Sequence, residues 1–280
     1  MPLACALYGY EFTKSFEYND LLFVPYHSSA DDAHQAARDL NCYKLTGIIV
    51  IGSYDAERLF QLEAILSFIE HLDVLISDPY EVTGENYFTK FPLIARMATR
   101  HSGGGAVLHR DTFFPEIRSE FITIAMDRLA DESFCELTGW KSLFFKTTIP
   151  FRQRNPYLEV SYFLLFSGLE TYVRKTLGEP DRKDIGNLIS RRLREIGFEI
   201  YPYKPTDLKR SADTYARLRN ALFHNNSFVA TRKSKKGLII QYNLFDYYAN
   251  FMGLVSLVVL KAIDFNHSCI HWDSWITMQR

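Results

Sequence analysis

The sequence predicts an α+β protein in two parts, a mixed α/β domain over residues 1–112 and an all-α helical bundle over residues 113–280. Two apolar runs rich in β-branched residues, 21–24 and 47–51, indicate strands in the first part. Long apolar segments with helical spacing dominate the second part. A glycine-rich stretch separates the two patterns, and the domain boundary is therefore predicted within residues 103–111.

In the first part, two helices are predicted beside the two strands. Residues 29–40 have a helical composition, with Ser28 or Ser29 as the candidate N-cap. Residues 55–72 place their apolar side chains on one helical face, which is typical of an amphipathic helix. That face consists of Leu59, Leu62, Ile65, Leu66 and Ile69.

The second part is predicted to be mostly helical. Its longest apolar helix, residues 158–177, is followed by Gly178 and Pro180, a usual stop signal. Residues 228–242 are predicted to form a loop or a short hairpin. The other predicted helices cover residues 116–129, 140–145, 184–196, a segment capped by Thr206 or Asp207 that runs to about 223, and 244–263.

Composition restricts the class of protein. The chain has 47% hydrophobic and 23% charged residues, as soluble globular proteins do. Its formal net charge is −1, so a nucleic-acid site requires local clustering of basic residues. The cysteines lack the short spacing of zinc or redox motifs, which favours free thiols in a reducing compartment and predicts no metal or cofactor. These cysteines are Cys5, Cys42, Cys135 and Cys269.

Residues 244–263 are the most apolar segment and raise the question of a membrane span. Asp246, Asn250 and several tyrosines interrupt the segment, which favours a buried helix over a span. The first residues lack the basic start of a secretory signal. We therefore expect a cytoplasmic protein with no membrane partner.

One short segment, residues 217–226, carries the residue types that RNA cleavage requires. At about 100° per residue, Arg217, Asn220 and His224 share one helical face, away from the predicted core residues Tyr215, Leu218 and Leu222. Cleavage without a metal needs a group that transfers protons at the ribose 2′-OH and the leaving 5′-oxygen, and a cation that offsets charge on the phosphorane. Histidine suits the first role because it titrates near neutral pH, and arginine suits the second because its donors match phosphate oxygens.

Arg219, Asn220 and His224 stand in the order R-N-x-x-x-H, and this segment resembles the R-x4–6-H signature of HEPN domains (higher eukaryotes and prokaryotes nucleotide-binding). The layout is also similar, with a long helix containing Glu170 before the motif and an apolar helix after it. The resemblance covers the C-terminal half and is nearest to the Apea-like branch. It implies an all-α domain that dimerises, so that two motif copies form one cleft, and endoribonuclease activity in toxin–antitoxin or phage-defence settings.

The resemblance implies that Arg219 clamps the scissile phosphate and that His224 transfers protons, with Asn220 orienting one of them. Positions five apart differ by about 140° on a helix, so Arg219 points away from His224 and Arg217 remains an alternative phosphate ligand. A simpler interpretation of His224 is a histidine at the C-terminal end of an ordinary helix, where it interacts with free carbonyl groups.

Glu170 and a basic cluster complete the candidate site. A carboxylate in an apolar helix is costly unless it is paired, so Glu170 either orients a motif arginine or pairs with Arg174, four residues later. Between residues 205 and 240 there are eight Lys or Arg residues against two acids, which is compatible with a solvated loop or with a phosphate-binding rim. The predicted RNA-binding residues are Arg217, Arg232, Lys233, Lys235 and Lys236.

Two further patterns have simpler explanations. His267, Cys269 and His271 alternate, so a strand would place them on one face as metal ligands, but no fourth ligand is evident and ordinary packing is favoured. The glycines at 103–105 lack the Gly-Lys-Ser/Thr ending of a phosphate loop, which favours a linker.

The leading hypothesis is a metal-independent endoribonuclease that works as a homodimer with a composite active site, under the control of an antitoxin or trigger protein. The N-terminal domain would sense a trigger or recruit the RNA substrate. Two alternatives remain open. One is a non-catalytic dimerisation or nucleotide-binding module with the same fold, and the other is a ligand sensor whose helical half transmits dimerisation.

Overall fold

The chain forms two compact units, and the α+β class predicted from the sequence is confirmed. Unit 1 comprises Met1–Ala130 and Thr148–Pro156, and unit 2 comprises Asp131–Thr147 and Tyr157–Arg280. The computed structural model describes residues 2–82, 87–110, 113–114, 116–179, 184–233, 237 and 239–278.

Unit 1 is built around one antiparallel sheet. Its strands are β1 (Leu3–Tyr8), β2 (Phe16–Tyr18), β3 (Leu21–Pro25), β4 (Cys42–Ile51), β5 (Leu75–Ile76), β6 (Tyr80–Glu81) and β7 (Ile94–Met97). Their order is β2-β3-β4-β1-β5, and β6 also pairs with β1 while β7 pairs with β4. The predicted strands at 21–24 and 47–51 are confirmed as β3 and the second half of β4. The central strand β1 was not predicted, because its Ala and Cys side chains carry little strand preference.

Three helices that lie wholly in unit 1 are α1 (Ala30–Ala37), α2 (Ala56–Glu70) and α3 (Ile117–Ala130). Ser29 is confirmed as the N-cap of α1, since its side chain accepts from the Asp32 amide. Asp55 caps α2 in the same way and accepts from the amides of Glu57 and Arg58 at 2.9 and 3.2 Å. These caps satisfy amide groups that a helix start leaves without internal partners.

The boundary between the units differs from the predicted one, because α3 belongs to unit 1. Arg118 of α3 is buried and donates to the Glu70 carboxylate at 2.6 Å and to the Glu11 carbonyl oxygen at 2.7 Å. The glycine-rich stretch is also part of unit 1, since the Gly103 amide donates to the His71 carbonyl oxygen at 2.9 Å. Asp111, at the end of the predicted boundary segment, lies outside the described residues.

Unit 2 is mainly helical. Its helices are α4 (Glu132–Thr138), α5 (Trp140–Arg152, of which the residues after Thr147 belong to unit 1), α6 (Leu158–Leu177), α7 (Ile185–Glu195), α8 (Ala212–Asn225), α9 (Leu244–Lys261) and α10 (Ser274–Thr277). In its core the Phe251 ring lies 4.8 Å from the Tyr215 ring and 5.0 Å from the Tyr162 ring. Aromatic side chains from α6, α8 and α9 therefore hold these helices together.

Several predicted helix limits in unit 2 are confirmed and others are corrected. Helix α6 has the predicted limits, and Gly178 ends it in the left-handed conformation, while Pro180 lies outside the described residues. Helix α8 begins after Ser211 rather than at Thr206 or Asp207. The turn before it is closed by Ser211, whose hydroxyl accepts from the Lys204 amide at 2.8 Å.

The prediction of an all-α second half is corrected by a two-stranded hairpin. Strands β8 (Val229–Lys233) and β9 (Ile239–Asn243) pair antiparallel within residues 228–242, where a loop or hairpin was predicted. Ala230 and Tyr242 face each other across the hairpin and are both buried. This buried pair gives the hairpin one face that packs on unit 2 and one that is exposed.

Helix α9 is long and apolar enough to cross a membrane by length and composition alone. In the structure 67% of its apolar window is buried inside the protein. The Asn250 amide is buried as well and donates to the carbonyl oxygens of Trp275 and Ile276. These features are those of a buried core helix, as the polar interruptions predicted.

Candidate functional site

Helix α8 presents the motif and ends just after it. Tyr215 and Leu218 are buried, as predicted, but Leu222 is only half-buried. Asn226 takes the left-handed conformation, and its amide donates to the Leu222 carbonyl oxygen at 3.0 Å. His224 is therefore next to the last residue of the helix, where the chain turns towards the hairpin.

One exposed cleft contains three of the predicted site residues. Arg217, Asn220 and His224 line it together with strand β8, and its volume is about 260 Å³. Their common position agrees with the helical face inferred from their spacing. The full lining consists of Arg217, Asn220, Ala221, His224, Asn225, Val229, Ala230 and Thr231.

His224 is exposed to solvent in this cleft. Its ring stands edge-on to the neighbouring Phe223 ring, with centroids 5.4 Å apart and an interplanar angle of 88°. An exposed imidazole at the end of a helix is accessible to a substrate and is not sealed in the core.

Arg219 lies on a different side of α8. Its guanidinium donates to Glu170 Oε2 at 2.7 Å and to Asn220 Oδ1 at 2.9 Å, and it lies 5.1 Å from the centre of the Phe166 ring. It lines a second pocket, of about 280 Å³, between α6 and α8. Within one chain, Arg219 and His224 therefore line separate pockets, as the angle of about 140° between their positions indicates.

Glu170 binds two arginines at once. Its Oε1 lies 2.8 Å from Arg174 Nη2, and its Oε2 accepts from Arg219. Both alternatives that the sequence left open are thus realised in one network. Because the carboxylate is largely buried, these charge-assisted bonds fix the direction of the Arg219 side chain.

Asp213 is a site residue that the sequence analysis missed. Its carboxylate accepts from Arg217 Nε at 2.7 Å and also forms an ion pair with Arg232. The four-residue spacing of Asp213 and Arg217 on a helix was the signal that could have revealed it. Arg232 also stacks 3.5 Å from the centre of the Tyr203 ring.

The predicted basic rim is therefore partly neutralised within the protein. Arg217 and Arg232 share the Asp213 carboxylate, whereas Lys233 at the end of β8 is exposed. Lys235 and Lys236 lie outside the described residues. Among the described residues, the net positive charge is therefore smaller than the sequence count suggests.

Exposed apolar side chains surround the pocket that contains Arg219. The rings of Phe163 and Phe223 stack with centroids 5.7 Å apart and an interplanar angle of 12°. Phe223 is 63% exposed, which is unusual for such a large side chain. We call this surface the apolar patch, and it consists of Val160, Phe163 and Phe223.

The chain was compared with family models, with curated proteins and with solved structures. No match was found in any of the three comparisons. The likeness to HEPN domains thus depends on the residues of the motif and on the order of the helices.

The C-terminal histidines and cysteine do not form the face that a strand would give. The segment that contains His267, Cys269 and His271 is not a strand, and His267 Nδ1 lies 3.0 Å from Cys269 Sγ. In the described part of the chain, no group of three or more His, Cys, Asp or Glu residues is placed to hold a metal ion.

Proposed function

We propose that unit 2 is a metal-independent endoribonuclease of the HEPN type. The observation that carries this proposal is the exposed cleft in which His224, Asn220 and Arg217 meet beside strand β8. A proton-transfer group, an amide and a cation within one cleft are the groups that transesterification of RNA requires.

In the proposed reaction the ribose 2′-oxygen attacks the adjacent phosphorus as its proton passes to a base. The new O2′–P bond forms, the P–O5′ bond breaks, and an acid supplies a proton to the 5′-oxygen. The products are a 2′,3′-cyclic phosphate and a 5′-hydroxyl. Two proton transfers suit two imidazoles, and one motif supplies only His224, so a second copy of the chain completes the site.

The position of Arg219 fits such a composite site. Glu170 and Asn220 hold Arg219 in the pocket beside the apolar patch, where a second copy would bind. Arg219 of one protomer would then offset phosphate charge next to the partner's His224, while Arg217 serves as a phosphate ligand beside His224 of its own chain. Lys233, and Lys235 and Lys236 after it, would bind the RNA backbone without reading its sequence.

The wider role follows from the resemblance to HEPN domains. We propose that the protein is a cytoplasmic effector of a toxin–antitoxin or phage-defence system, with RNA as substrate and an antitoxin or trigger protein as regulator. Unit 1 would sense the trigger or recruit RNA. The burial of α9 supports a protein that acts away from membranes.

Substitution of one histidine tests the proposal. Purified wild-type protein should cleave single-stranded RNA in the presence of EDTA, and His224→Ala should lower the rate by about 10²–10⁴-fold, as loss of a general acid or base does. His271→Ala is the matched control, because His271 is also exposed in unit 2 and lies outside both pockets. Equal cleavage by wild type and His224→Ala would exclude this mechanism.

A second candidate is a non-catalytic dimerisation module with the same fold. The observation in its favour is that Arg219 forms an ion pair with Glu170, on a side of α8 that faces away from His224. This candidate predicts a stable dimer that leaves RNA intact in the same assay. Measuring the molecular mass of the assayed sample distinguishes this result from an inactive, misfolded protein, because only a folded protein gives the dimer mass.

A further inference from the structure

Unit 1 contains a cavity of about 530 Å³ that the proposed ribonuclease does not use. Its volume is within the range of about 300–1,000 Å³ that small-molecule sites occupy. The segment that contains Gly104 and Gly105 forms one part of the wall. The charged and titratable side chains that line it are Glu11, His34, Arg38, His109, Arg110 and Arg118.

Both oxygens of the Glu11 carboxylate have a side-chain partner at the cavity wall. Its Oε2 lies 2.8 Å from His34 Nδ1, and its Oε1 lies 3.2 Å from Arg110 Nε. Glu11 is only 5% exposed, so its charge is directed at these two partners and not at the cavity as a whole.

A second carboxylate, that of Glu70, lies behind the wall, but the two carboxylates together do not balance the arginines. Glu70 is fully buried, with Oε1 2.6 Å from Arg118 Nη1 and Oε2 3.3 Å from Arg38 Nη2. Three guanidinium groups therefore face two carboxylates, so the wall carries a net positive charge. An anion in the cavity would be attracted by this charge and would accept hydrogen bonds from the guanidinium groups.

The glycine segment leaves the backbone open at the cavity wall. Gly104 needs to be glycine because its φ is +109°. A Cβ at Gly105 would meet nothing within 4 Å, so this position faces open space. Without side chains at these two positions, a ligand can approach the backbone closely.

We propose that this cavity binds a small phosphate-bearing ligand of about mononucleotide size. Arg38 and Arg110 contact its phosphate oxygens, because the guanidinium fork matches phosphate geometry. His109 is exposed at the rim and adds a third donor. All these residues lie in unit 1, so the proposal stands or falls independently of ribonuclease activity in unit 2.

Calorimetric titration of the full-length protein, without RNA, tests this site with pyrophosphate and with ATP as probes. Wild type should bind at least one probe saturably, and Arg110→Gln should weaken that binding by about ten-fold or more, since a charge-assisted bond is lost. His109→Gln, at a more exposed position, should weaken it in the same direction. Arg96→Gln is the control, because Arg96 also pairs with a carboxylate of unit 1 but does not line the cavity.

The outcomes separate clearly. Tighter binding of ATP than of pyrophosphate would indicate that the base is also recognised in the cavity. Equal binding of the two probes would restrict recognition to the phosphates. Either result supports the proposal if Arg110→Gln weakens the binding. Absence of saturable binding by either probe overturns it. Equal affinity of wild type, Arg110→Gln and His109→Gln for the probes overturns it as well. Thermal unfolding of each variant shows that the variants are folded.

Discussion

Glu170 and Asp213 each hold two arginines of the candidate site, so single carboxylates decide where the cations point. Glu170 binds Arg174 and Arg219, and Asp213 binds Arg217 and Arg232. Asp213 could have been found from its spacing. The sequence offered a motif arginine and Arg174 as alternative partners of Glu170, but it could not show that Glu170 binds both, because α6 and α8 are far apart in sequence. The spacing of residues along one helix thus predicts which of them share a face. It does not predict which other helix that face packs against.

Replacing Glu170 tests its role as a positioning residue. We expect Glu170→Gln to lower the free energy of unfolding by about 1–3 kcal/mol, because two largely buried cations lose their charged acceptor. Cleavage of RNA should fall as well, since Arg219 loses its fixed direction. Glu195→Gln is the control: Glu195 is an exposed ion-pair partner of Arg192, and its loss should cost less than about 1 kcal/mol. Urea denaturation measures the free energy of unfolding of both variants. An equal decrease in Glu170→Gln and Glu195→Gln would contradict this role.

His71 should make the protein sensitive to acid. Burial, with a smaller effect from the positive charge of Arg38, lowers the pKa of His71 from 6.5 to about 3. The unfolded chain therefore takes up a proton at a higher pH than the folded one. The stability that depends on neutral His71 is complete above pH 6.5 and is lost as the pH falls towards 3, by about 1.4 kcal/mol per pH unit.

The variant His71→Asn should flatten this acid dependence. His71 lies in the left-handed conformation at the end of α2, which asparagine tolerates. The variant is less stable at neutral pH because the ring stack on Phe151, at 4.1 Å, is lost. His27→Asn should keep the wild-type slope, because His71 is intact in it. Urea titrations over a series of pH values measure the slopes, and an unchanged slope in His71→Asn would refute the assignment.

At the scale of elements, the sequence predicted best where a cap or a stop residue marks the end of a helix. Helix α6 was predicted with its observed limits, and α7 begins after Asp184, whose side chain accepts from the Gly186 amide. Strand β1 was missed because its Ala and Cys side chains carry little strand preference. Helix α4 was missed because it has only seven residues and buries none of them, so it shows no apolar period. The hairpin in unit 2 was left undecided because only its packing on unit 2 buries Ala230 and Tyr242.

Helix α9 offers a test of whether its polar residues serve the fold. We expect Asn250→Leu to lower the free energy of unfolding by about 2–4 kcal/mol, although it makes the helix more apolar, because buried carbonyl groups at Trp275 and Ile276 lose their donor. Ser256→Ala, in the same helix, should be neutral or stabilising: the Ser256 hydroxyl is buried and has no hydrogen-bond partner within the described part of the chain. Urea denaturation followed by circular dichroism measures the free energy of unfolding of both variants. An Asn250→Leu variant more stable than wild type would contradict the structural role of Asn250.

At the scale of the molecule, the division into two units was predicted but its position was not. The glycine stretch marks a change of composition, yet the Arg118–Glu70 pair and the bond between Tyr18 and Asp127 tie α3 to unit 1. Residues 148–156 return to unit 1 through the stack of Phe151 on His71. Such contacts join residues distant in sequence, so neither composition nor periodicity reveals them.

The exposed apolar patch is the surface of unit 2 on which we expect a second copy of the chain to bind. If a second copy covers Phe223 and Phe163, then Phe223→Asp should convert the dimer to a monomer, because a buried unpaired carboxylate is costly at an interface. Cleavage should be lost with the dimer, since each site needs groups from both chains. Leu137→Asp is the control, because Leu137 is equally exposed in unit 2, at 74%, but lies outside the patch. Sedimentation velocity measures the mass of each variant, and a Phe223→Asp protein that stays dimeric and active would place the interface elsewhere.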